Sequence, residues 1–351
     1  MAWSEGAARV WSAWARLRRR SALAAPGLLL TLLGLVVGSL ARHDSSLLAQ
    51  GKDWAGQTPT FRSSTDVVLV DVSVRDARGG AVVDLDGEDF ELREDGAPQE
   101  IVYFNREFAD KPTPSSVLLL LDTSSSMKGD AILEASKAAM QFVRRIPNEA
   151  EVALIVFDHS TRIVCPFTTD RAKLETGLAN LGARGGTALY DALGEALRSF
   201  DSAGHQRKIL VLLSDGKDLD SRAKFSEIDR RFESSPIVVY AIGYYSESER
   251  RLYLTGERHY KEPAFEENLN PAWVLERLAL LSGGLVLFPT QEQELSPFFQ
   301  EIAQDLRHQY VLGYLPSLAA GKPRFRPIEV RLRDSARRGA VEVRARRGYV
   351  R

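Results

Sequence analysis

The sequence predicts an α/β protein: a doubly wound, mostly parallel sheet covered by helices, joined to a smaller antiparallel β-sandwich-like domain. From residue 115 onward, short uninterrupted apolar runs alternate with segments of helical periodicity, which is typical of strands buried on both faces of a parallel sheet. Before residue 110 and after residue 309, runs that alternate polar and apolar residues indicate antiparallel strands.

Composition limits the classes of function. At 351 residues, with 44% hydrophobic and 26% charged residues, the chain has room for one large domain and one smaller one. Its formal net charge of -1 lacks the basic excess that phosphate binding requires, so we expect no nucleic-acid partner. The single cysteine, Cys165, excludes an internal disulfide, and its apolar neighbours predict a small buried side chain.

The first 42 residues predict a signal peptide or a membrane anchor. A cluster of arginines precedes an uncharged, mostly apolar stretch over residues 21–41, an order that keeps the N-terminus in the cytoplasm and exports the downstream chain to the periplasm or cell surface. The small residues Ser39 and Ala41 permit cleavage, but the stretch is long enough to span a bilayer, so both outcomes stay open. If uncleaved, it would attach the chain to the membrane, with residues 43–64 as a polar linker.

Residues 65–110 predict an antiparallel β module that resembles an immunoglobulin-like or transthyretin-like domain. Its strands are expected over residues 67–74, 82–83, 88–92 and 101–104, separated by turns that contain Gly and Asp. Three more strands are expected in the C-terminal segment 309–351, over residues 310–314, 328–332 and 341–346. We expect these two ends of the chain to pair and close one domain.

Four arginines of the C-terminal strands alternate with apolar neighbours; they are Arg331, Arg333, Arg344 and Arg346. This alternation predicts solvated strand faces. A contact with anionic lipid or polysaccharide is the alternative interpretation.

Residues 115–308 predict the doubly wound domain. Its strands are expected over residues 117–121, 152–157, 209–213, 237–242 and 285–288, with an edge hairpin near 162–164. Its helices are expected over residues 131–146, 171–181, 188–200, 222–233, 271–281 and 295–307. The polar stretch 244–270 is longer than a connection needs and predicts an insertion. Such folds bind ligands at the carboxyl ends of their strands.

Oxygen-bearing side chains collect at those predicted strand ends. The first buried strand runs into Asp122, Ser124 and Ser126, whose alternation brings them toward one point in an extended or tightly turned loop. Thr187 follows a Gly-Gly turn at a helix start, and Asp215 ends another buried strand. Hydroxyl and carboxylate oxygens are hard ligands, suited to Mg²⁺, Ca²⁺ or Mn²⁺.

The order D-x-S-x-S, then G-G-T, then S-D-G after an apolar strand resembles the von Willebrand factor type A family and its metal-ion-dependent adhesion site. The resemblance implies that Ser124, Ser126 and Thr187 bind the ion directly, with Asp122 and Asp215 completing the shell partly through water. It also implies a non-enzymatic adhesion or protein-binding role, in which an Asp or Glu of a partner protein completes the coordination. Residues 87–96, 309–314 and 344–349 resemble blocks of exported bacterial proteins related to this family.

Other loop acids near these strand ends are expected to be solvated or to cap helices, with Asp191 the strongest candidate for tuning metal affinity; the others are Asp158, Asp218 and Asp220.

Two other classes of function stay open. Catalysis is disfavoured because the five histidines are scattered along the chain and no phosphate-binding glycine loop of the G-x-x-x-x-G-K-[ST] type occurs. The histidines are His43, His159, His205, His259 and His308. A structural envelope protein whose metal only staples the fold is the other alternative.

Overall fold

The computed structural model describes residues 67–107, 112–255, 269–291, 293–316, 325–333 and 341–350. The predicted export segment and linker, residues 1–42 and 43–64, lie outside these ranges. In the ranges given, no helix combines the length and the apolar character needed to cross a bilayer.

The strands and helices occur along the chain in this order. The strands are β1 (Val68–Asp76), β2 (Phe90–Glu94), β3 (Ala97–Gln99), β4 (Ile101–Arg106), β5 (Ser115–Asp122), β6 (Glu151–Phe157), β7 (Thr161–Thr168), β8 (Arg207–Ser214), β9 (Ile237–Gly243), β10 (Val286–Leu287), β11 (Gln309–Tyr314), β12 (Phe325–Leu332), β13 (Val341–Ala345) and β14 (Gly348–Val350). The helices are α1 (Asp130–Arg145), α2 (Arg171–Ala179), α3 (Leu189–Ser199), α4 (Phe225–Ser234), α5 (Glu247–Thr255), α6 (Pro271–Ser282) and α7 (Ser296–Arg307). Short 3-10 helices cover Gly87–Asp89, Ser125–Met127 and Phe200–Ser202.

The larger domain is built on a six-stranded sheet in the order β10-β9-β8-β5-β6-β7. All neighbours are parallel except β7, which pairs antiparallel with β6 at the edge. Because strand side chains alternate between faces, Leu119 and Leu121 of β5 pack under α1, α2 and α7, while Leu118 and Leu120 pack under α3, α4 and α6. Each buried leucine contributes about 2 kcal/mol. This is the predicted doubly wound fold.

The smaller domain packs two four-stranded antiparallel sheets, β13-β1-β11-β4 and β14-β12-β2-β3, across one apolar core. Antiparallel pairing of β1 with β11, and of β2 with β12, joins the two ends of the chain, as the sequence predicts. Phe90 and Phe104 contact Tyr310 with ring centroids 5.1 and 5.9 Å apart, so the aromatic centre of the core also comes from both ends.

Local differences from the prediction occur where turns decide the path. Residues 82–83 are not a strand: Ala81 makes an isolated bridge with Arg75, and Val83 is 40% exposed. An unpredicted strand, β3, forms after the turn at Asp95 and Gly96, which both adopt positive φ and reverse the chain directly onto β2. In the predicted insertion, residues 247–255 form α5.

The expectation that Arg344 and Arg346 lie on solvated strand faces is wrong. Arg344 forms an ion pair with the buried Asp305 of α7, and Arg346 is 7% exposed and donates to the carbonyl of Ser235. The alternation that leaves Arg331 in solvent turns these two arginines toward the larger domain, where carbonyl and carboxylate oxygens accept from their terminal nitrogens. A lipid or polysaccharide contact through this pair therefore loses its basis.

A buried arginine fixes the two domains together at the amino end of β8. Arg207 donates through Nε to Asp71 (2.6 Å) and through its terminal nitrogens to Glu107 (2.9 Å) and Gln309 (2.6 Å). All three partners belong to the smaller domain or its connection to β5. Since β8 carries Asp215 just beyond its other end, this junction lies at the opposite edge of the sheet from the candidate site.

Candidate metal centre

Backbone hydrogen bonds fasten the loop after β5 to the glycine turn before α3. The Arg184 amide donates to the Thr123 carbonyl (2.8 Å), and the Ser125 amide donates to the Gly185 carbonyl (3.1 Å). The sheet brings the loop after β8 to the same place, because the parallel strands β5 and β8 end at the same edge of the sheet. Asp122, Ser124, Ser126, Thr187 and Asp215 therefore belong to three loops that meet at this edge.

Asp122 is fully buried at the end of β5, and hydrogen bonds set its orientation. Its Oδ1 accepts from the Ser124 amide (2.8 Å), a turn that short Asp side chains commonly form with the backbone two residues on. Its Oδ2 accepts from the Ser214 hydroxyl (2.8 Å). Ser214 was not singled out from the sequence, although its place before Asp215 in the S-D-G motif is the signal that points to it.

The two serines after Asp122 hold their hydroxyl oxygens 2.9 Å apart. Ser124 is buried, whereas Ser126, on the 3-10 helix, is exposed. Thr123, which lies between Asp122 and Ser124 in the sequence, points away from them. Its hydroxyl donates to the Phe157 carbonyl at 2.9 Å. Neighbouring ligands of an octahedral Mg²⁺ at its preferred bond length lie about 2.9 Å apart. The observed spacing thus suits two adjacent coordination positions.

Thr187 is fixed through its backbone. Its amide donates to Asp220 Oδ2 (2.9 Å), and its carbonyl accepts from the amides of Leu219 and Asp220. Its own hydroxyl, in a residue only 5% exposed, forms no hydrogen bond within the described ranges and is left to a ligand. Gly185 and Gly186 make this arrangement possible: Gly185 has a φ of 71°, and a Cβ on Gly186 would lie 1.8 Å from Asp220 Oδ2.

Asp215 is nearly buried and, unlike Asp122, has a cation beside it. Both of its oxygens contact Lys217: Oδ1 accepts from the Lys217 amide (3.1 Å), and Oδ2 lies 3.0 Å from Nζ. Nζ also contacts Glu249 Oε1 of α5 at 2.6 Å. Burial acts to lower the pKa of Lys217, but these two carboxylates outweigh it and raise the pKa, so the side chain stays protonated. Sequence reasoning missed this lysine.

The electrostatics of the two acids differ accordingly. Burial raises the pKa of Asp122 to about 6, with a further contribution from the charge of Asp215, while hydrogen bonds from Ser124 and Ser214 oppose the rise. Among the residues that the structure describes, no basic side chain bonds to Asp122, and a bound cation would supply the charge that balances its ionised form.

The donor set fits a hard divalent cation. It comprises two carboxylates and three hydroxyls, the ligand types that Mg²⁺, Ca²⁺ and Mn²⁺ prefer. Within the described ranges there is no cluster of three or more His, Cys, Asp or Glu side chains that could hold a metal. Any ion at this edge would therefore depend on the hydroxyls of Ser124, Ser126 and Thr187.

The neighbouring acids hold the loops in place. Asp218 accepts from the Tyr190 amide (3.0 Å) at the start of α3, and Asp220 holds Thr187. Burial opposes ionisation of Asp158, but hydrogen bonds from Ser160 and Arg184 outweigh it and lower its pKa. Asp191 accepts from backbone amides at residues 222–223, in the later part of the loop that also carries Asp215, and contacts none of the five candidate residues by a hydrogen bond within the described ranges. Asp220, not Asp191, is thus the acid bonded directly to a candidate ligand residue.

The family model of the von Willebrand factor type A domain matches residues 117–217, a range that holds all five candidate residues. The chain contains a von Willebrand factor type A domain. Such domains generally mediate interactions between proteins.

Individual relatives match this chain in part. An uncharacterized protein of Synechocystis sp. is 29% identical over 112 residues, which are 31% of this chain and 27% of that protein. Inter-alpha-trypsin inhibitor heavy chain H4 of Sus scrofa is 23% identical over 229 residues, 60% of this chain and 23% of its own length. The chain thus spans about a quarter of either relative. A solved von Willebrand factor type A structure from Catenulispora acidiphila, 14% identical, covers 81% of this chain and 73% of its own, with a TM-score of 0.45.

Proposed function

We propose that the protein is an exported, metal-dependent protein-binding or adhesion protein. A divalent cation, Mg²⁺ or alternatively Ca²⁺ or Mn²⁺, would bind through Asp122, Ser124, Ser126, Thr187 and Asp215 and bridge to an Asp or Glu of a partner. The observation that carries the proposal is the pair of Ser124 and Ser126 hydroxyl oxygens, 2.9 Å apart next to the buried Asp122, in a loop that backbone hydrogen bonds fasten to the glycine turn before Thr187. Export rests on the basic and apolar order of the first 42 residues.

The charge balance of the site favours an acidic partner. The proposed donor set contains two carboxylates, and one of them, Asp215, already forms an ion pair with Lys217. Neutral hydroxyls in direct contact leave the cation electron-poor, so an incoming carboxylate is a strong further ligand. Amides and hydroxyls of a partner would gain much less from the same position.

A non-enzymatic role is part of the proposal. His159 pairs with Asp158 near the glycine turn, with 3.1 Å between Nδ1 and Oδ1. No hydrogen bond links this histidine to Ser124 or Ser126 in the described parts of the chain. The serine hydroxyls bond to each other instead, and the group beside Ser124 is the carboxylate of Asp122 rather than an imidazole, so the arrangement is not that of a serine–histidine nucleophile.

Water-proton relaxation with Mn²⁺ tests the proposal on the full chain. Bound Mn²⁺ should raise the relaxation rate because an open coordination position exchanges water, and acetate should lower that enhancement by taking the position. Acetamide, a neutral probe of the same shape, should leave the enhancement unchanged. Loss of the enhancement in an Asp122→Asn variant would tie it to this site.

Three outcomes bear on the proposal. An enhancement that acetate does not change would favour an ion that only stabilises the fold and whose open position does not take a carboxylate. No enhancement in the parent protein would overturn metal binding itself. An enhancement that acetamide lowers as much as acetate does would overturn the preference for acidic partners.

A further inference from the structure

Lys217 lies between a candidate metal ligand and an acid from another element. Its Nζ is 3.0 Å from Asp215 Oδ2 and 2.6 Å from Glu249 Oε1, and its side chain is 28% exposed. Glu249 is itself held in place, because its Oε2 accepts from the amide (3.0 Å) and the hydroxyl (2.7 Å) of Ser246. The lysine is therefore shared between two carboxylates of fixed position.

We propose that Lys217 is an internal competitor of the divalent cation for Asp215, and that Glu249 of α5 sets how strongly it competes. The inference rests on the proposed metal site. Because an ammonium and a divalent ion repel each other at one carboxylate, metal binding requires Lys217 to withdraw part of its contact with Asp215. Glu249 offers the ammonium a second carboxylate and so makes that withdrawal less costly.

The contrast with Asp122 supports this division of roles. Within the described residues, Asp122 accepts from neutral donors alone, whereas the hydrogen bonds of Asp215 both come from Lys217. Metal affinity then depends on α5, which comes after β9 within the segment that the sequence predicts to be an insertion. A partner that contacts α5 and draws Glu249 away would return Lys217 fully to Asp215 and lower the affinity of the site for the ion.

Calorimetric titration of the full chain with Mn²⁺ measures this competition. Lys217→Gln should tighten Mn²⁺ binding about tenfold or more, and Glu249→Gln should weaken it. Lys217→Arg keeps the charge and should stay close to the parent. If Glu249 acts through the lysine, its substitution should weaken binding less in the Lys217→Gln background than in the parent.

Matched controls separate this effect from overall charge. Lys137→Gln on α1 and Glu247→Gln on α5 make the same charge changes within exposed ion pairs away from Asp215 and should leave the affinity unchanged. Parent protein that binds Mn²⁺ while Lys217→Gln binds it equally or more weakly would overturn this inference and leave the proposed function standing. The same tightening in Lys137→Gln would also overturn the inference. Parent protein that binds no Mn²⁺ would overturn the proposed function.

Discussion

The carboxylate of Asp122 and the hydroxyl of Ser214 form a 2.8 Å hydrogen bond that joins the ends of the adjacent strands β5 and β8. The bond orients a buried acid without neutralising it, and burial leaves the pKa of Asp122 at about 6. Because its ordinary pKa is near 4, this carboxyl should respond to pH and to cations over a defined range.

The first prediction concerns stability without metal. In EDTA, the raised pKa of Asp122 means that the folded state favours the protonated carboxyl. Its contribution to stability is fully present below about pH 4 and is lost as the pH rises through 6. The free energy of unfolding of the parent, minus that of Asp122→Asn, should therefore fall by about 2 kcal/mol between pH 4 and pH 7. Denaturant unfolding at several pH values measures this difference, and a flat difference would contradict the raised pKa.

The second prediction concerns metal binding. An ion at this site needs an ionised Asp122, so binding must release its proton below pH 6. Mn²⁺ affinity should fall about tenfold for each pH unit below 6 and level off above it. Calorimetric titration between pH 5 and pH 8 tests this dependence. Affinity that is unchanged across that range would exclude Asp122 as a ligand that must lose a proton.

The third prediction concerns the glycine turn. A methyl group on Gly186 would meet Asp220 Oδ2 at 1.8 Å, so Gly186→Ala should break the hydrogen bond that the Thr187 amide donates to Asp220. We expect a loss of about 1–3 kcal/mol in stability and weaker metal binding. Gly182→Ala, in open space in the same loop, is the control and should change stability by less than about 0.5 kcal/mol. Equal effects of the two substitutions would contradict this account of the turn.

The fourth prediction concerns the junction of the two domains. Arg207→Met would leave the buried carboxylates of Asp71 and Glu107 without their cation, which should cost about 3–5 kcal/mol. The exposed Arg331→Gln is the control and should be nearly neutral. Thermal unfolding would show the difference, and a stable Arg207→Met protein would mean that the domains are held by apolar packing.

The elements that could be predicted from the sequence are those with a strong local pattern. The four leucines of β5 have no polar residue between them, and such a short run is typical of a strand covered on both faces. The alternation of Asp122, Ser124 and Ser126 was readable in the same way, since the turn that gathers these side chains is local.

Long-range contacts explain the features that the sequence did not reveal. Arg346 and Arg331 belong to similar alternating runs, and only the packing of β13 and the turn after it against the larger domain buries one of them. Lys217 and Glu249 lie 32 residues apart, so their contact depends on where α5 packs. Asp191 and Asp220 look alike as loop acids, and tertiary structure alone decides which one holds Thr187.

The measurement that tests the central claim most directly is thermal unfolding of the full chain in EDTA and with Mg²⁺, Ca²⁺ or Mn²⁺, beside Asp122→Asn. An ion that binds the folded state alone stabilises it by about 3 kcal/mol when present at a hundredfold excess over its Kd. We predict a midpoint several degrees higher with at least one of these ions, and no such shift in the variant. An unchanged midpoint in the parent, or an equal shift in Asp122→Asn, would contradict a metal site built on Asp122.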